Sequence, residues 1–105
     1  METILIMTNL PDRGSAESLA QILVQKRVVA CVNILASCTS VYHWQGKVET
    51  AQEVPVFIKT IQQRYDAVEQ IIKEFHPYEL PEIITVPIQG GLPEYLAWIT
   101  AETLK

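Results

Sequence analysis

Three groups of side chains in this sequence could do chemistry. In Phe75-His76-Pro77-Tyr78-Glu79-Leu80-Pro81-Glu82, one imidazole stands close to a phenol and a carboxylate. His76 with oxygen from Tyr78 and Glu82 is a donor set that suits Cu(II) or Zn(II). Placed just past a helix end, the same imidazole equally serves as a capping or hydrogen-bonded structural residue. Lys59 lies in the apolar segment Val56-Phe57-Ile58-Lys59-Thr60. Lysine is rarely buried unless paired, and Glu82 is a partner for a structural ion pair; otherwise Lys59 binds an anion or ligand. Tyr42 and Trp44 stand two positions apart, so on a strand they share a face, next to Gly46-Lys47. Such amphipathic rings are covered by another subunit, contact a ligand, or stay exposed.

Other chemistry has no signature here. The chain has no glycine-rich phosphate loop, no H-x-x-x-H, no C-x-x-C and no G-x-S-x-G. No catalytic residue emerges, and the chain is not expected to be an enzyme. Arg13 in Pro11-Asp12-Arg13-Gly14 lacks the glycine-rich surroundings of a phosphate cradle. Cys31 and Cys38 are seven positions apart, ~23 Å along a strand, too far for a local disulfide. Both read as small apolar residues in a reducing compartment. With 12 acidic and 8 basic side chains, the chain lacks the cationic surplus that phosphate neutralisation needs, so nucleic acid is not an expected partner. No apolar run approaches ~18 residues, so no membrane span is expected. Met1-Glu2 opens without a basic segment, and the expected location is the cytoplasm.

The elements that must position these residues follow from periodicity. Thr3 to Leu10 reads as a strand closed by the turn cluster Pro11 to Gly14. Ser15 is the expected N-cap of a helix running to Arg27, with Ala16, Leu19, Ala20 and Leu23 as its apolar stripe. Ala30 to Trp44 reads as one long strand, turned at Gln45-Gly46, with Lys47 to Ile61 returning. Pro55 marks an edge or a bulge in the return strand. Tyr65, Val68, Ile72 and Phe75 give Gln62 to Phe75 one buried helical stripe. Glu82 to Gln89 is a strand in which Pro87 marks an edge or an interruption, and Pro93 opens a final helix carrying Tyr95, Trp98, Ile99 and Glu102. The order predicts an α+β fold: a ferredoxin-like βαββαβ sandwich with a long central hairpin and an extra C-terminal helix. Residues 1–105 are expected to form a single domain.

The hairpin is too long for that body. Fifteen extended residues reach ~50 Å, whereas a domain of this size has a radius of gyration of ~13 Å. The arm must bend, break or project. A projecting two-stranded ribbon is marginal alone in water, and its open edges need a partner. Charged residues make up only 19% of the chain, which also fits a surface that is partly covered. A homo-oligomer is therefore expected.

Five ordered motifs are Ala30-Cys31-Val32-Asn33-Ile34, Tyr42-x-Trp44-x-Gly46-Lys47, Ile58-Lys59-Thr60, His76-Pro77-Tyr78-Glu79-x-Pro81-Glu82-Ile83-Ile84 and Tyr95-Leu96-x-Trp98-Ile99. Together they resemble the divalent-cation tolerance protein CutA family, from about Ile4 to Ile99. The resemblance implies a ferredoxin-like fold and a homotrimer in which neighbouring hairpins associate. It further implies a cytoplasmic role in tolerance of copper and other divalent cations, with Cu(II) or a related ion as ligand and no catalytic activity. The trimer is similar to that of PII signalling proteins, so a small-molecule sensor is the second reading, with Tyr42, Trp44, Lys59, Tyr78 and Glu82 lining a crevice between subunits. A scaffold that anchors another protein is a third. Some members carry a thiol near the position of Thr8 and a histidine at that of Phe75; their absence here leaves His76 as the strong metal donor.

Overall fold

The computed structural model describes residues 2–103; residues 1, 104 and 105 of the expected 1–105 unit lie outside it. Strand β1 (Thr3–Leu10) buries Ile4, Ile6, Thr8 and Leu10, while Leu5, Met7 and Asn9 between them are half-buried. That alternation splits the sheet into a helix-covered face and an opposite face. Helix α1 (Arg13–Gln25) lays Ala16, Leu19 and Leu23 on the first. Its cap is Asp12 and not Ser15: the Asp12 carboxylate accepts the Ser15 backbone N–H at 2.8 Å. A carboxylate satisfies the free N–H and also opposes the positive end of the helix dipole, so it outcompetes the hydroxyl.

The expected long strand is two strands, β2 (Cys31–Ile34) and β3 (Cys38–Trp44). Both pair with the fifteen-residue β4 (Lys47–Ile61), but their registers differ by one residue, Ile34 facing Val56 and Cys38 facing Glu53. The offset falls at Pro55, which has no N–H to give the ladder. The Pro55 carbonyl instead accepts the Leu35 N–H at 3.0 Å. Pro55 thus marks a bulge and not an edge, since β4 is central in the order β2-β4-β1-β5. At the tip, Gln45 and Gly46 have φ of 51° and 80°, the left-handed pair of a tight I′ turn.

A 3-10 turn (Gln62–Arg64) leads into α2 (Tyr65–Phe75), which buries Val68 and Ile72 beside α1. Strand β5 (Ile84–Pro87) is shorter than the expected 82–89 and forms the edge beside β1, where Pro87 is tolerated. Helix α3 (Pro93–Thr103) turns Ile99 and Thr103 inward and leaves Tyr95 and Trp98 exposed and stacked, 5.5 Å apart. The result is the ferredoxin-like sandwich expected from the element order. Its longest dimension is 45 Å against 25 and 23 Å, because the arm of β3 and the first half of β4 projects.

One core side chain is out of balance. The Thr8 hydroxyl is buried and has no hydrogen-bond partner among the described residues. A buried unpaired hydroxyl keeps its desolvation cost with nothing to offset it. Thr8→Val keeps the shape and removes the cost, so it is expected to stabilise by about 1 kcal/mol. Urea unfolding at fixed protein concentration would show a higher midpoint at unchanged slope; a lower midpoint would contradict this.

Candidate functional site

Asn9, at the end of β1, fastens the segment after α2. Its backbone carbonyl accepts a hydrogen bond from His76 Nε2, and its side-chain amide donates to Glu82 Oε1 at 3.1 Å. The other ring nitrogen, Nδ1, accepts the Tyr78 backbone N–H at 3.1 Å. An acceptor at Nδ1 assigns the ring proton to Nε2, the tautomer that can donate to Asn9. Both nitrogens of the buried His76 are thereby engaged with backbone, and the ring lies 4.6 Å from that of Tyr78. A metal could take His76 only by displacing one of these bonds.

From that fastened segment Tyr78 reaches the arm. Its phenol lies close enough to the carboxylate of Glu53, on β4 at the arm base, to feel its charge. Burial, then the charge of Glu53, push the Tyr78 phenol above its ordinary 10.0. Tyr42 and Trp44 stand on β3 above, 44% and 39% exposed, so a single chain leaves these large rings substantially uncovered. Between arm and loop lies a groove of about 690 Å³, lined by Asn9, Tyr42, Trp44, Glu53, Tyr78 and Glu82 among others. That is the size of a small-molecule pocket.

The structure brings together four of the expected site residues, Tyr42, Trp44, Tyr78 and Glu82. His76 lies behind the groove as its anchor. Lys59 lies elsewhere: its ammonium donates to the Tyr95 hydroxyl at 3.3 Å and sits 5.4 Å from that ring's centre. The expected Lys59–Glu82 pair is not formed, because Glu82 is held by Asn9 near the opposite end of the strand from Leu5, which faces Lys59. Glu53 and Asn9 escaped the sequence reading. Only the hairpin register, which sets Glu53 opposite Cys38, puts that carboxylate at the arm base. Among the described residues no group of three or more His, Cys, Asp or Glu is placed to hold a metal ion. Cys31 and Cys38 are both free thiols.

A ferredoxin-like sandwich that carries a projecting two-stranded arm and a groove at its base defines the class. Residues 4–102 match the family model described as CutA1 divalent ion tolerance protein. The chain is 39% identical over 103 residues to the divalent-cation tolerance protein CutA of Thermus thermophilus, covering 98% of this chain and 99% of that one. Its fold superposes on the crystal structure of CutA from Xylella fastidiosa with a TM-score of 0.94 at 45% identity, covering 98% and 99% of the two chains. For CutA1 from Oryza sativa the TM-score is 0.96 at 35% identity, covering 100% and 96%. This chain belongs to the CutA divalent-cation tolerance family.

The contact between Tyr78 and Glu53 has a direct test. A phenol whose pKa is raised on folding stabilises fully below its unfolded pKa, and that contribution is lost as pH rises through the folded value. In Glu53→Gln the Tyr78 phenol is expected to titrate closer to 10.0, and stability is expected to fall less steeply in alkali. Spectrophotometric titration of tyrosinate absorbance against a Tyr78→Phe control reads this. An unchanged Tyr78 titration would remove Glu53 as a cause.

Proposed function

We propose that this chain works in the cytoplasm as a homotrimer that contributes to divalent-cation tolerance by binding a ligand, without catalysing a reaction. Its working site is the groove at the arm base, which a neighbouring copy closes. The observation that carries the reading is the place of that groove. It sits under Tyr42 and Trp44, on the arm that projects beyond the body.

Support for the assembly comes from two uncovered surfaces. Along the arm, Val41 and Val48 are each 66% exposed. On the sheet face opposite α1 and α2, Met7 faces both Phe57 and Ile84, and Leu5 faces Val86. Ile84 and Val86 remain exposed. An apolar sheet face of this kind marks an interface. The unpaired thiols Cys31 and Cys38 accord with a reducing compartment.

Resident Cu(II) does not fit the donors that one chain presents. His76 spends both nitrogens on backbone, and no three-ligand group is formed among the described residues. The groove's volume, far more than an ion needs, favours the second reading: a trimeric small-molecule sensor of PII type. A protein-anchoring role has no comparable feature behind it.

The test is complementation. Cells lacking this protein are challenged with copper(II) and supplied with wild type or with Glu53→Gln plus Tyr42→Ala. Wild type is expected to restore growth and the groove variant to fail, while sedimentation of both gives three times the 11.9 kDa chain mass. A groove variant that protects as well as wild type, or a folded species at the mass of one chain, would overturn the reading.

A further inference from the structure

The chemistry of the groove says what kind of molecule it takes. Among the described residues three carboxylates line it, Glu53, Glu79 and Glu82, and no lysine or arginine does. Three aromatic rings line it as well, those of Tyr42, Trp44 and Tyr78. Among the described residues His43 is the one nitrogen base in the lining. An anionic ligand would meet uncompensated negative charge there. A bare metal ion would find no preformed ligand group among the described residues. Carboxylates spread around aromatic faces in a space of about 690 Å³ instead match an organic ammonium, whose charge the carboxylates pair and whose hydrocarbon the rings cover.

We infer that this groove binds organic amines in their ammonium form, a step that rests on reading the groove as the working site. Glu82 is prepared for this, since the Asn9 amide holds one of its oxygens and leaves the carboxylate charge in place. Glu53 lines the same groove beside the ring of Tyr78. A held carboxylate such as that of Glu82 loses less side-chain freedom when the ligand arrives. A primary ammonium could also come from a lysine of a neighbouring copy, such as Lys47 at the arm tip. The free amine is the ligand assigned here, because the groove is the size of a whole small molecule.

Calorimetry on the intact assembly tests this with three probes of one length: 1,5-diaminopentane, the neutral 1,5-pentanediol and the dianionic glutarate. The diamine is expected to bind saturably, with the diol at least about tenfold weaker and glutarate without measurable affinity. Glu82→Gln keeps an oxygen for Asn9 and removes the charge, so it is expected to weaken the diamine about tenfold while circular dichroism stays unchanged. In a Trp98→Phe background, Trp44 becomes the sole indole, and its emission is expected to shift with the diamine. Equal binding of diamine and diol, or an unaffected Glu82→Gln, would overturn the inference. Diamine binding that tightens more than about tenfold in Lys47→Gln would assign the groove to a sister lysine and overturn the free ligand. Copper(II) alone shifting Trp44 emission, with no diamine response, would overturn the ligand class while leaving the groove as the working site. No response to any probe, with failed complementation of the groove variant, would have the same meaning for the amine alone.

Discussion

The structure depends on one unbalanced feature: a ribbon whose hydrogen-bonding edges outrun the body. Strand β4 is paired on both sides only over its second half, with β1 on one edge and β2 on the other. Over Lys47 to Glu53 it has β3 alone among the described residues. Among the described residues no strand pairs with either outer edge of that ribbon, and Val41, Tyr42, Trp44 and Val48 lie exposed upon it. Two-stranded ribbons are marginal in water, and open edges are templates for pairing. The buried core of the body packs around α1 and α2 and leaves the arm outside it. Copies of the chain are the cover proposed for it.

Everything at the groove follows from how the ribbon is moored. Asn9 sits where β1 ends and the arm begins to stand alone. Through one residue it holds His76 with its backbone and Glu82 with its side chain. Tyr78 carries the connection across to Glu53, and Arg13 adds a contact from α1 to the Leu35 carbonyl at the strand break, at 3.4 Å. The mooring sets acidic groups beside aromatic ones, and among the described residues no lysine or arginine joins the lining. Membership of the CutA family accounts for the architecture, while the character of the site comes from these particular side chains.

The order of elements, the hairpin turn and the ferredoxin-like sandwich were legible because they rest on local signals. Gln45-Gly46 could only be a turn, and the stripe of Val68 and Ile72 could only face a core. The sequence left matters open, or pointed to the wrong residue, where two local rules competed. Asp12 and Ser15 both qualify as caps, and the sequence does not say that a carboxylate will reach Ser15's own N–H. Pro55 excludes a donor without telling a bulge in a central strand from an edge. At the site, Tyr42, Trp44, Tyr78 and Glu82 could be found by type and spacing. Glu53 could not, since its place depends on a one-residue register offset set by a proline on its own strand. Lys59 was assigned the wrong partner because alternation gives its face and not what α3 brings to it.

Amide hydrogen exchange across the arm, followed as the protein is diluted, measures the central claim most directly. The account predicts that the amides of Cys38–Trp44 on their outward edge are protected at high concentration. They should lose that protection on dilution while β1 stays protected. Protection in the arm that is independent of concentration in a folded single chain would contradict it, and so would arm amides that exchange freely at every concentration.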